Sequence, residues 1–288
     1  MAAPETTLSS LGMLRLGVAS PELRVADVAF NVARIREVMA QAAADGCRLL
    51  LLPELAVTGY SCGDLFQQPL LLERARTALL ELAEATAGLG LAVAVGAPVA
   101  TRGRLFNCAA FLAGGRIVGI VPKRYLPNSR EFYEERWFSS AAEAGPDHLE
   151  GEGGPIPFGT DLLFRPDLLP EALIGLEICE DLWVPAPPSA QQALAGATVL
   201  LNLSASPETL GKHDYRRDLV VSQSARCLAA YAYASAGPGE SSTDLVFAGH
   251  SLIAENGQLL AETERFRFES QLALADVDVE RLLTERRG

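Results

Sequence analysis

Apolar and polar positions along the chain alternate between two periods. LRLGVAS (14–20) is a short apolar run and reads as a buried strand. Residues 28–44 switch to helical spacing, with Val28, Val32, Ile35, Val38, Met39 and Ala42 on one face and Gly46 just beyond the last turn. RLLLLPE (48–54) is strand-like again, and 70–87 is a Leu/Ala/Glu-rich helix. Three strands then follow in a row: LAVAVGAP (91–98), RLFNCAAFLA (104–113) and GRIVGIVPK (115–123). Gly114-Gly115 marks a tight hairpin turn between the last two. Residues 139–160, rich in Gly, Glu, Ala and Pro, read as an exposed excursion. Beyond them come ALIGLEICE (172–180), a helix near 189–195, ATVLLNLSAS (197–206), a helix near 214–227 and AAYAYASAG (229–237). Two strands, near 246–254 and 271–278, complete the pattern.

Three consecutive strands inside an otherwise mixed α/β alternation do not fit a simple doubly wound sheet. They suggest two sheets packed face to face with helices outside, a four-layer α-β-β-α sandwich. Residues 1–12 read as a disordered lead and 13–288 as a single domain, with no repeat or linker to divide it.

Composition narrows the partners. The net charge of −12 argues against nucleic acid and anionic membranes and leaves a small-molecule substrate open. No apolar run reaches the length of a membrane span, and no secretory leader pattern opens the chain. The five cysteines are odd in number and contain no C-x-x-C pair, which fits neither a disulfide framework nor a zinc site. A reducing, cytoplasmic setting is expected.

The chemistry gathers at strand ends. LLLLPE ends at Glu54, RIVGIVPK at Lys123 and ALIGLEIC at Cys179. Carboxyl ends of strands are where α/β folds collect functional groups. A thiol, a carboxylate and an ammonium together suit attack on an amide carbonyl. Cys179 would be the nucleophile and Glu54 the general base, while Lys123 would stabilise the oxyanion together with a backbone N–H after Cys179. No metal or organic cofactor is needed. Cys179 sits among Glu177, Glu180 and Asp181, which disfavour a thiolate, so a distant cation and base are required. Cys47, Cys62, Cys108 and Cys227 read as packing residues. His148, His213 and His250 lie in no persuasive motif, and GHS (249–251) lacks the G-x-S-x-G elbow.

Glu54, Lys123 and Cys179, in this order and at strand ends, resemble the Glu-Lys-Cys triad of the nitrilase (carbon–nitrogen hydrolase) superfamily. The flanking segments are narrower in their likeness. LLPELAVTGYSCGDLF (51–66), VPKRYLPNSREFYEERWF (121–138), GLEICEDLWVPAPPS (175–189), LLNLSASPETLGKHDYRR (200–217) and residues 222–257 resemble the glutaminase domain of glutamine-dependent NAD synthetases. That resemblance implies the α-β-β-α sandwich of the nitrilase type. It also implies hydrolysis of glutamine to glutamate and ammonia for NAD synthesis, pairing into a homo-oligomer, and an NAD synthetase domain or subunit as partner. It places Glu134 as a supporting acid, Tyr60 and Trp183 on the pocket wall, and Ser206 and Lys212 at the substrate's α-amino and α-carboxylate ends. Ser129 departs from the family, which often has tyrosine there for glutamine recognition. The chain stops at Gly288 without the ATP-pyrophosphatase signature SGGxDS, so the synthetase domain is expected to be absent. Two alternatives remain open at this point: a stand-alone nitrilase-type amidase on another small amide, and a non-catalytic regulatory subunit.

Overall fold

Two six-stranded sheets stack through their apolar faces, and helices cover both outer faces, in a computed structural model that describes residues 7–144, 147–151, 153–243 and 245–287. In chain order the elements are β1 (Met13–Ser20), α1 (Val28–Ala44), β2 (Leu49–Leu51), α2 (Pro69–Ala85), β3 (Ala92–Thr101), β4 (Arg104–Ala113) and β5 (Arg116–Pro122). They continue with β6 (His148–Leu149), β7 (Ile156–Pro157), β8 (Leu163–Phe164), β9 (Ile174–Ile178), α3 (Pro188–Leu194), β10 (Val199–Ser204) and α4 (Lys212–Cys227). The last are β11 (Ala230–Ser235), β12 (Leu252–Glu255), β13 (Gln258–Glu262), β14 (Gln271–Asp278) and α5 (Val279–Arg287).

The first sheet has the order β14-β1-β2-β3-β4-β5 and the second β13-β12-β11-β10-β9-β8. Strand alternation explains the layers. On β10, Val199, Leu201 and Leu203 point into the core between the sheets, while Leu200 joins the core under the outer helices. β11 does the same, with Ala230, Ala232 and Ala234 inside and Tyr231 and Tyr233 outside. On the far side of the first sheet, Val32, Ile35 and Met39 of α1 and Leu71, Leu79 and Leu82 of α2 form a third apolar layer. Burying both faces of the central strands is why they read as continuous apolar runs rather than as alternating ones.

The expected sandwich is therefore present, and α1 and β14 fall where the apolar pattern put them. Gly114 and Gly115 both have positive φ, as a two-residue hairpin turn requires. Several boundaries differ. The strand expected over 48–54 ends at Leu51, because Pro53 cannot donate to a ladder and Leu55 turns the chain with φ +51°. The strand expected near 246–254 is confined to Leu252–Glu255. The edge strand β13 and the helix α5 had not been anticipated; β13 alternates exposed and half-buried positions, which weakens its apolar signal. The 139–160 excursion contains the small β6–β7 hairpin. Of the expected disordered lead, 1–6 lie outside the described residues, and Ser9–Leu11 forms a 3-10 turn. No helix among the described residues is long and apolar enough to cross a membrane.

Candidate active site

The strand directions bring the three sequence-predicted groups to one end of the sandwich. β2 runs parallel to β1 and β3, and β5 returns to that direction through the β3–β4–β5 hairpins. Glu54 and Lys123 therefore follow strands that end at the same edge. In the second sheet β9 and β10 are parallel, so Cys179 and the segment after Ser204 share an end. The two ends meet: Glu54 N–H donates to the Ser204 carbonyl at 3.3 Å, and Ala205 N–H donates to Glu54 Oε2 at 2.9 Å.

Lys123 is the hub. Its ammonium donates to Glu54 Oε1 at 2.7 Å and to Glu134 Oε1 and Oε2 at 2.7 and 2.9 Å. All three side chains are buried. Asn107 Nδ2 donates to the same Glu54 oxygen at 2.7 Å, and the Tyr60 hydroxyl donates to Glu134 Oε1 at 2.8 Å. Burial pulls the Lys123 pKa down, but the Glu134 and Glu54 carboxylates outweigh it and hold it well above the ordinary lysine value. Burial pushes the Glu134 carboxyl up against the opposing pull of Lys123, and the Glu54 carboxylate adds to the push. A buried ion cluster of this kind is kept by mutual pairing and loses its balance when one member is removed.

Cys179 occupies a strained backbone elbow. It leaves β9 at φ +45°, a left-handed conformation that non-glycine residues rarely adopt, and starts a 3-10 turn through Leu182. Its N–H, taken out of the sheet ladder, is caught by Asn202 Oδ1 at 3.2 Å. Burial pushes the thiol up to about 12, with Glu54 adding to the rise and Lys123 opposing it. The thiol thus lies within the fields of both partners that the sequence had assigned to it.

The acidic neighbours of Cys179 are occupied elsewhere. Glu177 points to the helical side, where it accepts from Ser189 N–H at 2.7 Å and from the Tyr231 hydroxyl. Asp181 turns back to accept from Ile178 N–H at 2.9 Å and Tyr125 N–H at 2.8 Å. Glu180 is half buried, and burial raises its pKa.

Of the remaining sequence-predicted residues, Lys212 and Trp183 pair with each other. The Lys212 ammonium lies 5.3 Å over the Trp183 ring, and burial lowers its pKa while the nearby Cys179 opposes the drop. Ser206 is buried on the segment after β10, where its Oγ accepts from Arg216 Nη2 at 3.4 Å. Ser129 is exposed in a turn, where its carbonyl accepts from Phe132 N–H, and its side chain makes none of the bonds that join the triad.

Sequence reasoning missed Asn107, Asn202, Asp181 and the Ala205 N–H. Two of them carried a signal. Asn107 in RLFNCAAFLA and Asn202 in LLNLS are single carboxamides inside apolar strands, where an unpartnered amide is costly. The Ala205 N–H carried none, since any residue supplies that donor.

A comparison with protein families matches residues 15–286 to carbon-nitrogen hydrolase. The chain is 46% identical over 276 residues to a glutamine-dependent NAD(+) synthetase of Mycobacterium tuberculosis, covering 96% of this chain and 40% of that protein. It is 44% identical to the synthetase of the same name from Mycobacterium leprae, covering 96% and 41%. The chain thus spans about two fifths of the length of the curated relatives it matches. Among solved structures, a glutamine-dependent NAD(+) synthetase from Cytophaga hutchinsonii superposes with a TM-score of 0.83 at 32% identity, covering 92% of this chain and 43% of that one. An amidase of Nesterenkonia shares the fold, with a TM-score of 0.73 at 23% identity over 95% and 94% of the two chains.

Proposed function

The chain belongs to the carbon–nitrogen hydrolase family, and on that premise we propose that it is a cysteine amidohydrolase that releases ammonia from glutamine. The observation that carries this reading is the bridge from Lys123 Nζ to both Glu54 and Glu134, within the field of a thiol held on a strained elbow. The synthetases that it resembles are glutamine-dependent by name, which supports glutamine as substrate and NAD synthesis as the use of the ammonia. The partner is then a synthetase domain or subunit. The cysteines recorded are all free, which supports a reducing, cytoplasmic setting.

The steps follow from the geometry. A high thiol pKa means that Cys179 does not attack as a standing thiolate; Glu54 must take its proton as the C–S bond forms. The carbonyl oxygen gains negative charge, which Lys123 and the N–H that follows Cys179 stabilise. Collapse of the tetrahedral adduct expels the amide nitrogen, which leaves as ammonia carrying the proton that Glu54 returns. A thioester on Cys179 remains. Water, deprotonated by Glu54, attacks it and releases glutamate and the thiol. Asn107 and the Ala205 N–H keep the carboxylate aimed through both halves.

The test is release of ammonia and glutamate by the intact chain and by Cys179→Ala. The wild type should turn over glutamine and the variant should not. Equal rates would remove Cys179 from the mechanism. Asparagine and short aliphatic amides belong in the same screen, because Ser129 stands where the family often has tyrosine; a better rate on a simple amide would favour a stand-alone amidase.

A further inference from the structure

Outside the triad, His213, His250 and Glu262 lie at metal-ligand spacing, their donor atoms within 4.8 Å of one another. The hydrogen bonds around them point to another role. His250 Nδ1 lies 2.9 Å from Arg216 Nη1. A guanidinium has only donors, so Nδ1 accepts and the ring proton sits on Nε2. That proton faces Glu262 Oε1 at 2.6 Å, the place where a metal would have to bind. A metal on Nε2 would leave the ring with no proton while Arg216 still donates to Nδ1, which demands an imidazolate. His213 stacks on His250 with ring centres 4.6 Å apart and closes the cluster towards solvent.

The relay ends on Arg216, a fully buried cation. Its guanidinium grips three consecutive residues of the segment after β10. Nη2 reaches Ser206 Oγ at 3.4 Å and the Pro207 carbonyl at 3.3 Å, and Nη1 donates to Glu208 Oε2 at 3.0 Å. Arg265 holds the other Glu208 oxygen at 3.2 Å. This segment lies outside the main ladder and is tied to the 246–247 stretch by a bridge from Pro207 to Phe247. Because Arg216 donates to Ser206 Oγ, the hydroxyl's own proton points away from the guanidinium, towards the Tyr233 hydroxyl or an incoming acceptor. Lys212, one helical turn before Arg216 on α4, presents a second cationic donor and is held down in pKa first by burial and also by Arg216. Two donors on neighbouring supports suit an acceptor-rich end, such as an amino-acid carboxylate.

We propose that Arg216, braced by His250, is a positioning residue that fixes Ser206 for the amino-acid end of the substrate and so separates glutamine from plain aliphatic amides. The selectivity rests on the glutamine reading above; the bracing of the segment does not. Arg216→Lys keeps the charge and loses the three-residue grip. Hydrogen exchange of the Ser206 and Glu208 amides should quicken by about tenfold in this variant, with the rest of the sheets unchanged. KM for glutamine should rise by about tenfold, the loss of one or two positioned hydrogen bonds, while kcat/KM for butyramide stays within about twofold. Unchanged exchange, or an equal fall for both amides, overturns the proposal. His250→Phe keeps the ring volume, removes the Nδ1 acceptor and should shift the same readouts in the same direction, which covers the case where Arg216→Lys does not fold. Calorimetry with Zn²⁺ should show no stoichiometric binding to the wild type; binding that His213→Ala abolishes would overturn the relay. A wild type that hydrolyses butyramide but not glutamine defeats the glutamine reading, and the exchange measurement then still decides whether Arg216 braces the segment.

Discussion

A cysteine between acidic neighbours has an unfavourable local environment, and the resolution lies in side-chain direction. β9 alternation turns Glu177 to the helical side, and Asp181 folds back onto the Ile178 and Tyr125 amides. The charges that reach the thiol come from Glu54 and Lys123, far away in sequence. Since burial leaves the thiol near 12, its alkylation by iodoacetamide should rise steadily with pH from 7 to 9 without a plateau. Lys123 is the cation that lowers this value, so Lys123→Met should raise it and slow alkylation by about tenfold at pH 8. An unchanged rate would mean that the ammonium does not act on the thiol. The same variant leaves Glu54 and Glu134 buried without their cation, which should cost about 3–5 kcal/mol in urea unfolding, so alkylation is measured on protein shown to be folded.

Among the elements, the turn after β2 depends on one glycine of β3. Val57 N–H donates to the Gly96 carbonyl and Gly96 N–H to the Pro53 carbonyl, both at 3.2 Å. A Cβ on Gly96 would lie 2.1 Å from the Leu55 nitrogen and 2.6 Å from the Pro53 carbonyl oxygen. The obstacle is backbone, which cannot rotate away. Gly96→Ala should therefore cost on the order of 3 kcal/mol and displace Glu54, cutting turnover well beyond what the stability loss explains. A chemical melt paired with an activity assay checks this; a variant with normal stability and rate would show that the turn yields freely. The apolar runs announced β2, β5 and β9 because these strands are buried on both faces. The edge strand β13 and the helix α5 were not legible, since each places few residues in the core.

At the scale of the whole molecule, the site lies on the seam between the sheets, and Asp181 is one of its stitches. It sits beside the end of β9 yet accepts from Tyr125, on the chain leaving β5. Burial raises its carboxyl from 3.8 to about 7. Between those values the folded chain binds more protons than the unfolded one, so this group's contribution to stability falls as pH rises from about 4 to about 7. Below that window the cost is absent, and above it the cost is complete. Asp181→Asn abolishes the titration. The unfolding free energy of the wild type relative to Asp181→Asn should therefore decline between pH 4.5 and 7.5. Urea midpoints at the two pH values measure it, and a constant difference would show that burial does not hold this proton.

The sequence by itself determined the layers and singled out the three polar groups at strand ends. Continuous apolar runs demand strands buried on both faces, and a glutamate, a lysine and a cysteine at strand ends demand a shared edge. Only the tertiary structure decided which groups meet there. Asn107 and the Ala205 N–H converge on Glu54 through strand direction and sheet stacking, which link residues too distant in sequence for any local pattern to pair, while Glu134, which the family resemblance had placed beside the triad, is joined to it through Lys123. The fate of Glu177 and Asp181 was decided in the same way, because a charge acts along the direction its side chain takes, and packing sets that direction.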